Sequence, residues 1–186
     1  AIRESQERYH RLVETSPDSI VMYDTNGDLI TVNQKTADLY GVESPEQFVT
    51  EVKNILCILP RDDRLKAVRS IRQTAVTGKS ANTEYSIMCK NGSVLPVEIN
   101  SSVVGGLEGK VTAFISVVRD ITDRKQAEAA LYESESKFRD LAEKSIAGVY
   151  IIQDGIFQYV NRAAASMMGY ETDEMIGKIT PMDTTL

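Results

Sequence analysis

A chain of 186 residues with a formal net charge of −6 lacks the basic face that nucleic acid or an anionic membrane surface would require. Its 42% hydrophobic and 26% charged residues are ordinary for a globular protein, and its length suits one or two domains. No apolar run approaches the ~20 residues that span a bilayer, and no secretory leader opens the chain, so direct membrane contact is not expected and the expected location is cytoplasmic.

Residues 1–16 read as a helix, with Ile2, Ser5, Tyr9, Leu12 and Ser16 at 3-4-3-4 spacing, and Pro17 stops it. Ile20–Tyr23 and Leu29–Val32 are short apolar strands on either side of Asp24-Thr25-Asn26-Gly27-Asp28, a hairpin turn. Asn33 is placed to cap a short helix that Gly41 ends. Ser44-Pro45-Glu46-Gln47 opens a second helix in capping-box style. Ile55–Leu59 is apolar. Asp62 is the expected cap of a longer helix running to Thr77 and closed by Gly78. Leu65, Val68, Ile71 and Ala75 form its predicted inner face; Arg64, Lys66, Arg69 and Arg72 form its solvated one.

Strand patterns fill the next stretch. Glu84–Cys89 alternates, Asn91-Gly92 signals a hairpin, and Val94–Val104 returns with Leu95, Val97 and Ile99 to one side. Pro96 argues against pairing through its own amide. Gly105-Gly106 and Gly109-Lys110 mark a further turn. Val111–Val118 is nearly continuously apolar, which predicts a central strand covered on both faces. A helix then runs to about Lys144, with Ala127, Leu131, Ser134, Phe138 and Leu141 at 4-3-4-3 spacing. The order is helix, β-β, three short helices, β-β-β, helix: an α+β fold with helices on one sheet face.

The opening pattern recurs. Tyr9, Leu12, Glu14, Ser16, Ile20, Asn26-Gly27, Asn33 and Gly41 match Phe138, Leu141, Glu143, Ser145, Val149, Asp154-Gly155, Asn161 and Gly169. The offset is 129 residues from Tyr9 to Phe138 and 128 from Asn33 to Asn161, so one residue is lost inside the turn. A repeat of this length is a domain. The second copy stops after about 50 residues, and the expectation is a piece of a longer polypeptide.

These residues resemble the PAS domains of microbial signalling proteins. The similarity lies in the hairpin Ile20–Val32, Asn33, Asp38-Leu39-Tyr40-Gly41 and Pro60–Arg64. It extends to Met88-Cys89-Lys90-Asn91-Gly92-Ser93 with Pro96-Val97-Glu98-Ile99, and to Arg119-Asp120-Ile121-Thr122-Asp123-Arg124. The resemblance covers about 9–124 and, as a front half, 138–186. It implies a five-stranded antiparallel sheet in order 2-1-5-4-3, a pocket between sheet and helices, and end helices that join copies and form dimers. The expected division is an N-terminal helix (1–16), a complete domain (17–120), a linker helix (121–145) and half of a second domain (146–186).

The candidate pocket residues are Tyr23, Leu39, Leu56, Leu65, Val68, Tyr85, Ile87 and Phe114; the alternative is that they simply fill the core. The resemblance implies that Asp120 and Thr122 couple the last strand to the outgoing helix; a plain helix cap is the alternative. The matching stripes make Tyr9, Leu12, Leu131, Phe138 and Leu141 candidates for homodimerisation.

No catalytic or metal-binding constellation is expected. The one histidine, His10, precedes Arg11 rather than an acid, and nucleophile–base pairs need a base elsewhere. Gly105-Gly106-Leu107-Glu108 lacks the acidic third residue of a GGDEF motif and reads as a turn. The resemblance implies that haem would need an axial ligand, usually histidine, on the long helix; Asp62–Thr77 holds none, so haem is not expected. It implies that flavin would need a cysteine in an Asn-Cys-Arg-Phe-like run; Cys57 sits instead between Leu56 and Ile58, so flavin is not expected. Cys57 and Cys89 read as buried or half-buried thiols of a reducing compartment. A small apolar ligand fits the reading. The expected function is a sensory and dimerisation module of a multidomain protein, of histidine kinase type, whose output domain lies elsewhere. The alternative is a ligand-free spacer and dimerisation scaffold.

Overall fold

The computed structural model describes residues 2–80, 82–105 and 110–184. The chain divides into two units, Ala1–Arg124 and Lys125–Leu186.

In the first unit, α1 (Ile2–Glu14) stops ahead of Pro17. The strands β1 (Ser19–Asp24) and β2 (Leu29–Val32) form the predicted hairpin. Asp24 Oδ1 accepts from the amides of Asn26 and Asp28 at 2.8 and 2.9 Å, and Gly27 takes φ +89°, which a side chain would resist. Helix α2 (Gln34–Tyr40) ends at Gly41 in the left-handed conformation. Helix α3 (Pro45–Val52) is capped by Ser44, whose Oγ accepts from Gln47 N at 3.2 Å. A 3₁₀ turn, Ile55–Ile58, leads to α4 (Arg61–Thr77).

Helix α4 differs from the sequence reading in two ways. Its cap position is Pro60, without a side-chain bond, and Asp62 and Asp63 sit in the first turn, where carboxylates complement the helix dipole. Its inner face is also rotated. Ala67 and Thr74 are buried and Ser70 and Ile71 half-buried, whereas Leu65 is 70% exposed and Ala75 is exposed. Asp63 Oδ2 anchors the helix to the sheet by accepting from Ser86 N at 2.9 Å.

The strands β3 (Thr83–Met88), β4 (Val94–Gly105) and β5 (Val111–Asp120) complete an antiparallel sheet in order β2-β1-β5-β4-β3. The predicted turn after Gly105 falls largely on 106–109, outside the described residues. Pro96 stands opposite Ser86, and its carbonyl accepts from Ile121 N at 3.1 Å. One sheet face turns Val21, Tyr23, Tyr85, Ile87, Val97, Phe114 and Val118 into a core closed by Phe48, Val52 and Ala67. β5 is central as expected, but its other face is not fully covered. Val117 is 37% exposed and Ile115 half-buried, because the helices occupy one face only.

The linker helix α5 (Thr122–Lys144) is followed by β6 (Tyr150–Gln153), β7 (Ile156–Val160), α6 (Arg162–Met168) and α7 (Thr172–Met175). Asp154 and Gly155 both take positive φ, +53° and +79°, as a two-residue hairpin turn requires. The small core of this unit gathers Phe157, Val160, Ala164, Ala165 and Met175. All four residues of β6 are exposed.

Candidate functional site: a hydroxyl-lined cavity and its two exits

The helices of the first unit do not fill the space above the sheet. They leave a cavity of about 80 Å³. Its apolar wall includes Leu39, Phe48, Ile58, Leu59, Ile71 and Ile87. Five serines (Ser19, Ser70, Ser80, Ser101 and Ser116) also line it, with Thr36 and the phenols of Tyr23, Tyr40 and Tyr85. No charged side chain does so. The strands put these hydroxyls there by alternation: Ser101 follows Val97 and Ile99 on the inner side of β4, and Ser116 lies between Phe114 and Val118 on β5.

The hydroxyls are paired. Ser101 Oγ and Ser116 Oγ lie 2.6 Å apart, and Ser116 Oγ donates to the Tyr23 hydroxyl at 3.1 Å. Tyr23 stacks on Phe114 at 5.5 Å between ring centres. Burial pushes the Tyr85 phenol up from its ordinary pKa, with a hydrogen bond from Ser70 opposing.

One wall leads to the incoming helix. Ser19 Oγ and Thr36 Oγ1 lie 2.7 Å apart, and Thr36 Oγ1 donates to Asn33 Oδ1 at 2.9 Å. Asn33 is fully buried and fully used. Its Oδ1 also accepts from Ile20 N (2.9 Å) and Thr36 N (3.1 Å). Its Nδ2 donates to Val13 O in α1 (3.0 Å) and Asp18 O (3.1 Å). Glu14 Oε2 adds a bond from Gln34 N at 3.1 Å. The side chain predicted as a helix cap therefore also holds the last turn of α1.

The other wall leads to the outgoing helix. Ser116 and Val118 line the cavity, and β5 ends at Asp120 two residues later. Asp120 Oδ1 accepts from Thr122 N at 2.8 Å, at the first turn of α5. Thr122 Oγ1 is buried with no partner among the described residues. Arg119 grips Asp18 through Nε (3.1 Å) and Nη2 (2.7 Å), which holds the Asp18 carboxyl below the usual carboxylate range.

The second unit repeats the clamp. Asn161 Oδ1 accepts from Val149 N (2.9 Å) and Ala164 N (2.8 Å), and Nδ2 donates to Ala142 O in α5 (2.7 Å) and Ala147 O (3.0 Å). Glu143 Oε2 accepts from Arg162 N at 3.3 Å, as Glu14 does from Gln34.

Of the predicted pocket residues, Tyr23, Leu39, Tyr85 and Ile87 line the cavity. Leu56 and Phe114 belong to the surrounding core, Val68 is half-buried away from the cavity, and Leu65 faces solvent. The lining hydroxyls other than Tyr23 and Tyr85 were missed. Strand alternation was the signal for Ser101 and Ser116. Leu12, Leu131 and Leu141 are 62%, 61% and 72% exposed. Phe138 is partly occupied within its own unit, 6.1 Å from the Tyr159 ring. The backbone of Tyr9 lies in α1. Cys57 is exposed rather than buried, because the 3₁₀ turn directs Ile55 and Ile58 inward instead. Among the described residues no group of His, Cys, Asp and Glu could hold a metal ion, and no helix is long and apolar enough to cross a membrane.

The chain is 28% identical to a methyl sulfide methyltransferase-associated sensor from Methanosarcina acetivorans, over 91% of this chain and 17% of the relative. It is 31% identical to a blue-light-activated histidine kinase from Brucella anthropi, over 56% of this chain and 20% of that protein. It thus spans about a fifth of the length of these relatives. Among solved structures, a PAS domain from Colwellia psychrerythraea superposes with a TM-score of 0.58 at 21% identity, over 64% of this chain and 98% of that one. A PAS domain family matches residues 17–123, and a PAS fold family matches 136–184. The chain belongs to the PAS domain family.

Proposed function

We propose that this chain is a sensory and self-associating module of a multidomain signal-transduction protein of histidine kinase type. Occupancy of the cavity in 17–120 biases the packing of α1 and α5, and the kinase or other output domain lies elsewhere in the parent. Residues 121–145 serve as the linker helix and 146–186 as the start of a second sensory domain. The module works in the cytoplasm, without nucleic acid or membrane contact. The observation that carries this reading is a continuous hydrogen-bonded path. It runs from the cavity wall through Ser19, Thr36 and Asn33 to the last turn of α1. At the other end, Asp120 holds the first turn of α5 two residues beyond a cavity-lining strand position. A ligand that moves the wall alters the bonds that aim the helices.

Haem and flavin stay outside the reading. A cavity of about 80 Å³ is far below the several hundred Å³ of ordinary cofactor pockets. The exposed Cys57 does not line it. That small volume also favours a second reading, a ligand-free spacer and dimerisation scaffold. One experiment separates the two without any ligand. Ala67 lines the cavity and is buried, so Ala67→Leu fills part of it, at about 1–3 kcal/mol of stability. A sensor should answer with altered hydrogen exchange in the first turns of α5 and the last turn of α1. A spacer should answer only around α4.

A further inference from the structure

The hydroxyls at the sheet end of the cavity have a fixed proton order. Ser116 has one hydrogen, and it points to the Tyr23 oxygen at 3.1 Å. The 2.6 Å contact with Ser101 must then be Ser101 donating to Ser116. Both serine hydrogens are used, and the chain ends on Tyr23. Tyr23 is 3% exposed, and its own hydrogen meets no acceptor among the described residues. A buried O–H without an acceptor is unfavourable, and whatever supplies an oxygen there recovers that cost.

Two further facts narrow what that is. The wall carries no charged side chain, so an ion would be buried without a counter-charge. The volume of about 80 Å³ is roughly half that of the 150 Å³ apolar cavity known to admit benzene. The remaining lining is mostly apolar: Leu39, Phe48, Ile58, Leu59, Ile71 and Ile87.

We propose that the cavity takes a small uncharged molecule with an apolar body of a few carbons and one oxygen acceptor, a short ketone or alcohol in kind, seated against the Tyr23 hydroxyl. The proposal names the ligand class of the cavity and so rests on the sensory reading. On that reading, the same side chain that recognises the acceptor belongs to β1, whose first residue, Ser19, begins the path to α1.

The test uses 2-butanone, its hydrocarbon counterpart 2-methylbut-1-ene and the anion propanoate, titrated into the whole chain labelled with nitrogen-15 and followed by amide shifts. Because the hydrocarbon leaves water more readily, the informative quantity is the ratio of the two Kd values in each protein. The combined change Tyr23→Phe with Ser116→Ala removes the phenol and the hydroxyl that could replace it. It should raise the ketone-to-hydrocarbon Kd ratio at least tenfold. Ser116→Ala alone keeps the phenol and should leave the ratio within threefold of the unaltered chain. If the double variant does not fold, Tyr23→Phe with Ser116→Cys, which keeps the volume and offers only a weak S–H donor, is read in the same way. Propanoate should give no saturable shifts at cavity residues. An unchanged ratio in the variant lacking the phenol, saturable propanoate binding, or no saturable binding of either neutral probe would overturn the ligand class. The Ala67→Leu exchange experiment needs no ligand, so it would still stand or fall on its own.

Discussion

At the scale of single residues, Thr122 is the side chain most out of balance. Its Oγ1 is buried and has no partner among the described residues, while its amide is held by Asp120. Thr122→Val keeps the shape and removes the buried hydroxyl, so denaturant unfolding should show a gain of about 1 kcal/mol. A loss of stability would mean the hydroxyl is satisfied after all. Caps and turns were legible because their chemistry is local: Ser44, Gly41, Asn91-Gly92 and the cap bond of Asn33 to Thr36 each involve nearby residues, whereas the hold of Asn33 on Val13, twenty residues away, was not legible. The cavity was not legible to the same degree. Size and hydrophobicity nominated Leu65, yet α4 presents Ala67 and Ser70 to the sheet. A helix that must leave a hole turns its small residues inward, and a ranking by apolarity has no term for a hole.

Among the elements, α1 and α5 carry apolar side chains that the described residues do not cover. Leu131 and Leu141 are more than half exposed, whereas Phe138 has Tyr159 as a neighbour. On the proposed self-association, these exposed stripes are the helix-pairing surface. Replacing Leu131 and Leu141 with Glu should therefore lower the molecular mass in solution by half, as read by light scattering, with little effect on the fold of 17–120. An unchanged mass would place self-association on another surface, such as the sheet face carrying Ile115 and Val117. The strands followed their sequence patterns to within a residue or two. The departure was β5, where continuous apolarity implied two covered faces. Its outer residues instead remain half open, a state that apolarity alone cannot distinguish from burial.

For the whole molecule, the two units differ in how completely their sheets are paired. β1 is bonded on both sides, by β2 and β5, whereas among the described residues its counterpart β6 pairs only with β7. Tyr150, Ile151 and Ile152 are each more than two-fifths exposed. A two-stranded sheet is marginal in isolation, and an open apolar edge invites another strand. At low micromolar concentration, amides in 150–160 should exchange at least a hundredfold faster than those of β1 and β5. Protection that grows with concentration would show β6 pairing with a second copy, and protection at every concentration would place its partner within the chain. The two units nevertheless share one device, and it acts on backbone. Asn33 and Asn161 take hold of the carbonyls of Val13 and Ala142, groups that every amino acid possesses. The asparagine grip therefore imposes no spelling at Val13 or Ala142, and the side chain the socket does read is the next one, Glu14 or Glu143, which accepts from Gln34 N or Arg162 N. Substitutions elsewhere along α1 or α5 can redesign what those helices bind while the grip beneath them is unaltered, so a module of this kind can be moved behind any new helix that keeps one glutamate in its last turn.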